Sequence, residues 1–113
     1  MSTNWKRLYG PLAATDTSDH AIVTAATQTA IVLTKVTVSN ITSTAALGTL
    51  SLNIGAGAVI VWQRVVPGQN VQGGVLEVAE LEGHTLNPGD ILSFKAGTAN
   101  ALAPTASGVE YTP

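Results

Sequence analysis

Cysteine is absent from these 113 residues, which excludes disulfides and thiolate metal sites and leaves the core, or partners, to hold the chain together. Charge is scarce as well. Only 11% of residues are Asp, Glu, Lys or Arg, against about 25% in an ordinary soluble domain. The formal net charge of −2 supplies no basic field to hold nucleic acid. Two Trp, two Tyr and one Phe are thin material for an aromatic platform under a sugar. No apolar run approaches the roughly 18 to 20 residues of a membrane span. The opening MSTNWKRLYGPL has Lys6 and Arg7 but no apolar segment after them, which argues against a secretory signal and leaves synthesis in the cytoplasm as the expectation.

What fills the chain instead is 45% hydrophobic residues, with Thr, Ser, Ala, Asn and Gly in place of the missing charge. A surface of hydroxyls and amides costs little to desolvate, which suits a protein that lies against its own kind or in a lattice. The length fits one domain with a modest core.

Thr29–Ile41, TAIVLTKVTVSNI, is rich in β-branched residues that favour a pleated surface over a helix. Ile31-Val32-Leu33 is continuous, as in a strand covered on both faces, and Val36-Thr37-Val38-Ser39 alternates. We expect a central strand here, ended by Asn40 and Thr42–Thr44. A shorter strand is expected over Asp19–Ala26. In Leu47–Ile54, Leu50, Leu52 and Ile54 alternate with Thr49, Ser51 and Asn53, predicting one buried and one wet face. Ala58–Val66 predicts a strand with Ile60, Trp62, Arg64 and Val66 on one side, entered from a turn at 55–57 and stopped at 67–70. Val75–Leu81 is balanced between strand and short helix, with strand favoured after two glycines. Asn87-Pro88-Gly89-Asp90 predicts a type II hairpin turn, with Pro88 second and Gly89 third, feeding a strand over Ile91–Lys95. Residues 97–103 look like loop, and Gly108–Tyr111 a last strand. The sum is an all-β chain: a single β-sandwich or jelly roll of about seven short strands over residues 19–113, behind an extended N-terminal arm, residues 1–18.

The arm carries Trp5, Lys6, Arg7, Leu8, Tyr9 and Leu12. These apolar and aromatic side chains are costly to leave in water, so the arm should fold back on its own domain or reach onto a neighbour. If it reaches onto a neighbour, these six residues are the partner-binding set, with Trp5, Leu8 and Tyr9 as anchors. Two cations beside two aromatics give only weak, salt-sensitive phosphate binding, so no nucleic-acid role is expected.

Chemistry finds little support. A metal site needs three or four converging ligands, whereas His20 and His84 stand far apart and only Glu80 and Glu82 lie near His84. GHTLNPGDIL, residues 83–92, is similar to the second motif of cupin barrels, but the histidine pair and glutamate of that site have no counterpart earlier in the chain. Carboxylate pairs would have to come from Glu77, Glu80 and Glu82 by coincidence of folding. No serine sits in a G-x-S-x-G elbow, and Gly55-x-Gly57 lacks the third glycine of a dinucleotide loop. No catalysis, cofactor, metal or small-molecule substrate is expected.

Three segments, in this order and spacing, carry a family resemblance: LTKVTVSNIT, ELEGHTLNPGDILSFKAG and ASGVEYTP. From about Thr15 to Tyr111 the chain resembles a group of small virion structural proteins of tailed bacteriophages. There, a strand with an Asn-Thr-Ser-like tail precedes an alternating strand, an acidic-aliphatic segment, a glycine-bearing turn and a closing S-G-V-E-[YVI] strand. The resemblance implies a non-enzymatic virion protein made in the host cytoplasm, foremost a capsid decoration (cement) protein. Such a protein would bind the major capsid protein and neighbouring copies as a homo-oligomer, with no membrane partner. Neck, tail or baseplate component is the alternative. A carbohydrate-binding or host-adhesion module seeded on Trp62, Gln63 and Arg64 is the second. Deleting Met1–Leu12 is expected to abolish capsid binding and spare the fold.

Overall fold

Two antiparallel sheets pack face to face in this computed structural model, which describes residues 2–54, 57–69 and 74–112. Its strands are β1 (Ser2–Tyr9), β2 (His20–Thr24), β3 (Ala30–Asn40), β4 (Ala46–Asn53), β5 (Ala58–Val66), β6 (Val75–Glu77), β7 (Thr85–Leu86), β8 (Ile91–Ala96) and β9 (Leu102–Thr112). One sheet runs β1-β9-β3-β6, with β7 also on β3; the other runs β2-β8-β4-β5. The chain is therefore an all-β sandwich. Nine strands are described where about seven were expected; the additions are β1, which carried no strand pattern, and the two-residue β7.

The long strand β3 holds the first sheet together, as its composition implies. It pairs with β9 along its length and with β6 and β7 on its other side. Ile31 and Leu33 face the core, and so do Val36, Val38 and Asn40. That switch from odd to even numbers is made by a bulge between Leu33 and Lys35. Without the extra residue, a period of two would turn half the strand inside out. Val32, which the sequence suggested as covered on both sides, is half-buried on the outer face.

A second bulge changes β5. Leu50 pairs with Trp62 and Ser51 with Ile60, so Val61 is the extra residue. Trp62 consequently enters the core while Ile60, two positions away, stands on the opposite face. The expected grouping of Ile60 with Trp62, Arg64 and Val66 fails for this reason. The expected wet face of β4 also fails. Thr49 and Ser51 are buried because β4 is an inner strand, flanked by taller side chains of β5 and β8. Ile54, past the end of β4, is exposed instead of inward-facing.

Asn87–Asp90 forms the expected turn: Asp90 N–H donates to the Asn87 carbonyl at 2.9 Å and Gly89 has φ +92°. It is not a hairpin, however. Strand β7 belongs to one sheet and β8 to the other, so the turn carries the chain across the sandwich. Val75–Leu81 divides into β6 and a 3-10 turn at Ala79–Leu81, which sends Val78 and Leu81 into the core. The last strand starts at Leu102, well before Gly108, and contains Pro104. Leu102 accepts from Ala14 N–H on the β1 side of β9. Alternation places the Pro104 nitrogen on that same side, past the end of β1, where no strand needs a donor. Parts of the turns at 55–57, 67–70 and 72–74 lie outside the described residues.

Leu33, Val36, Val38, Leu50, Val66, Leu81, Leu86, Leu92, Phe94 and Leu102 fill the centre and are essentially inaccessible. Each such side chain contributes roughly 1.5–3 kcal/mol against exposure. The loop after β3 is fastened from below by Asn40. Its Nδ2 donates to the carbonyls of Thr44 (2.8 Å) and Val66 (3.1 Å). Its Oδ1 accepts from Thr42 N–H and Oγ1, both at 2.8 Å.

Candidate functional site

Polar and apolar residues do not alternate in STNWKRLY, yet Ser2–Tyr9 forms an edge strand because β9 offers it a ladder. Ser2 lies opposite Thr112, Trp5 opposite Val109 and Arg7 opposite Ser107. Of the two placements expected for the N-terminal segment, it takes the first: it folds onto its own domain. The six arm residues separate accordingly. Trp5 and Arg7 stand on the outer face of the first sheet, in register with Val109 and Ser107, and Trp5 is 74% exposed. Lys6 pairs with Glu110 at 3.0 Å. Leu8 and Tyr9 are partly buried and pack against the core. They belong to the fold and are not free anchors. Leu12 is 60% exposed.

Beyond β1, the chain turns at Gly10 (φ +57°) and passes β2. A cleft of ≈ 290 Å³ opens there, with Tyr9, Leu12, Ile22, Phe94 and Pro104 among its walls and His20 at its side. His20 Nε2 donates to Asp16 Oδ1 at 2.7 Å, and Ser18 N–H donates to the same oxygen at 2.9 Å. These two bonds, that of His20 foremost, hold the Asp16 carboxyl below its ordinary range. The pair is exposed and arranged as a loop clasp; no nucleophile or second carboxylate completes it.

A second surface, which the sequence did not single out, is the outer face of the β2-β8-β4-β5 sheet. Register lays it out in rows. Leu47 faces Val65; Lys95 faces Thr49, which faces Gln63; Ala21 faces Ser93, which faces Ser51, which faces Ile60. Asp19 borders the same groove of ≈ 300 Å³. The floor is hydroxylic and flush, since Thr49, Ser51 and Ser93 are all buried. Gln63 Nε2 donates to Thr49 Oγ1 at 2.9 Å. Its apolar members Ile60 and Val65 are each 60% exposed, with Leu47 beside them. The alternation of Thr49 and Ser51 marked this face, but the bulge that brings Ile60 to it leaves no trace in composition.

The remaining candidates are dispersed. His84 is half-buried, Glu80 lies 3.5 Å from Arg64 in an exposed ion pair, and among the described residues no three His, Asp or Glu gather in one place. Trp62 is 3% exposed, which removes the stacking face on which the carbohydrate reading was seeded. No protein-family model matches the chain, and no curated protein matches it at a significant level.

Proposed function

We propose that this chain is a non-enzymatic structural protein of a tailed-phage virion, foremost a capsid decoration protein that binds coat protein and neighbouring copies. The reading rests on the family resemblance of its three motif segments and on its physical surface. The observation that carries it is Trp5: a large aromatic, 74% exposed on a paired strand, with Arg7 two residues along on the same face. A side chain of this kind, held rigid by a ladder and left in water, is suited to a protein interface, where Trp and Arg dominate the energetics. Three of the five cations, Lys6, Lys35 and Arg64, are already engaged by Glu110, Glu77 and Glu80. Among the described residues, Arg7 and Lys95 are the cations left outside these pairs, and Arg7 stands on the same face as Trp5.

Deleting Met1–Leu12, the experiment that a free arm would invite, is unsuitable here, because it strips β9 of its neighbour and removes Leu8 and Tyr9 from the core. The test is Trp5→Ala with Arg7→Ala, mixed with expanded heads that lack the protein. We expect unaltered circular dichroism and a loss of binding of roughly 30-fold or more, the scale of a lost interface hot spot. Wild-type binding by the double variant would refute the role assigned to this strand. Copy number in the particle separates decoration, in the hundreds, from a neck or baseplate place, with about a dozen copies.

A further inference from the structure

We propose that the outer face of the β2-β8-β4-β5 sheet is where two copies of this chain meet, stacked face to face about a two-fold axis along the Asp19–Lys95–Thr49–Gln63 row. This deepens the structural reading above by naming the surface on which copies recognise each other.

Four observations converge on this face. It gathers Leu47, Ile60 and Val65, three of the exposed large hydrophobic residues, on one side of one sheet. Its floor is low and hydroxylic, with Thr49, Ser51 and Ser93 buried, and the Thr49 hydroxyl already has a partner in Gln63. Covering such a floor therefore strands few polar groups. Asp19 and Lys95 line the same groove, and among the described residues neither is in an ion pair, while Lys6, Lys35 and Arg64 are. One unpaired charge of each sign on one face favours self-recognition: each lysine can reach the other copy's aspartate.

The symmetry sets the contacts. An isologous interface places a surface against itself, and an axis along the Lys95–Thr49–Gln63 row lays the row above it over the row below. Val65 then lies over the partner's Ile60 and Leu47 over its Ser51, while Lys95, Thr49 and Gln63 each meet their own copies, so that each lysine has to lean along the row to reach the partner's Asp19. Joining edge to edge through β5 is opposed by the bulge at Val61 and the charge of Arg64, two devices that blunt a free strand edge. Four strands about 4.8 Å apart and roughly seven residues long cover on the order of 450 Å² in plan. A standard interface needs about 800 Å² per partner, so the pair is weak on its own and suited to reinforcement by other contacts in an assembly.

Sedimentation of the purified chain at rising concentration tests this with no virion present, so its outcome is independent of the capsid-binding experiment. We expect a monomer–dimer equilibrium at about 10–500 µM, the range for a small interface. Val65→Lys and Ile60→Lys should each weaken it by roughly tenfold or more. Val75→Lys, equally exposed on the other sheet, and Trp5→Ala should leave it unchanged. Asp19→Lys or Lys95→Asp alone should weaken it, and the two together should restore it. The chain has no cysteine, so Gln63→Cys carries a single thiol, and a short bismaleimide should link it to itself, whereas Val75→Cys should stay unlinked. A wild-type chain that remains monomeric throughout, dimers indifferent to Val65→Lys and Ile60→Lys, or loss of the dimer in Trp5→Ala would overturn the assignment.

Discussion

Replacing Asn40 tests whether one buried amide secures the β3–β4 loop to the end of β5. Asn40 is 3% exposed and makes four hydrogen bonds. Its orientation is determined by chemistry, because only the amide NH2 can donate to the carbonyls of Thr44 and Val66. In Asn40→Ala, Thr42 and the Thr44 carbonyl can turn to water, so those bonds cost about 0.5 kcal/mol each. The Val66 carbonyl is buried and loses its side-chain partner, for about 1–2 kcal/mol, and lost packing adds about another 1. The sum is about 4 kcal/mol, below the roughly 5–15 kcal/mol of a typical domain, so the variant should fold. With a urea slope of about 1.5 kcal/mol/M, the midpoint should fall by about 2.5 M. Asn40→Asp sharpens the test. Its carboxylate would face two carbonyl oxygens, so its pKa in the folded state should rise above the unfolded value of about 3.9. The penalty is then absent below that unfolded value and complete above the folded one, so the variant should gain on wild type as pH falls from 7 to 4. An alanine variant within about 0.5 kcal/mol of wild type, below the loss of a single buried bond, would refute the reasoning, and so would an aspartate deficit that ignores pH.

Gly108→Ala should destabilise by about 1–3 kcal/mol in the same urea assay, the usual penalty of overpacking. A Cβ there would lie 2.5 Å from the Val32 carbonyl oxygen and 3.0 Å from a Leu8 methyl, and the backbone cannot retreat. Trp62→Phe should cost less than about 2 kcal/mol despite the lost volume, because it removes an indole N–H that is buried without a hydrogen-bond partner. By NMR, the Asp16 carboxyl should titrate below an ordinary aspartate, and His20→Ala should raise it. Because the folded pKa is depressed, the clasp's support is present above the unfolded carboxylate pKa and lost as pH falls through the folded one.

The all-β sandwich was legible because its evidence is local: β-branched runs, period-two alternation and turn residues. The central role of β3 could be read from Ile31 to Val38, and the turn geometry at Asn87–Asp90 from Pro88 and Gly89. What escaped was set by tertiary context. Strand β1 carries no apolar alternation, since it is an edge whose conformation β9 imposes. Strand β9 hides behind Pro104, which is harmless only because β1 ends before reaching it. Turn chemistry predicts a reversal at Asn87–Asp90 but not whether the next strand stays in the same sheet. Of the six arm residues, composition marked them all as apolar or cationic; only pairing separates Trp5 and Arg7, facing outward, from Leu8 and Tyr9, spent on the core.

The bulges decide which surface is available for recognition. In β3 the extra residue keeps both halves of the strand inward, so the core gains Val36 and Val38 while Lys35 is turned out to meet Glu77 at 3.2 Å. In β5 the extra residue does the reverse for one side chain. It sends Trp62 in and places Ile60 on the far side, beside a floor of Thr49, Ser51 and Ser93. Without the extra residue Ile60 would share the inward side with Trp62, leaving Leu47 and Val65 as the large apolar side chains of that face. A chain selected only for stability gains nothing from an isoleucine in water. Its retention on a flat, charge-poor sheet, with Val65 and Leu47 alongside, is better accounted for by a covering partner than by the fold alone. Trp5 makes the same argument from the opposite sheet, so the two surfaces proposed for contact lie on opposite sides, the arrangement a subunit would need to bridge two neighbours.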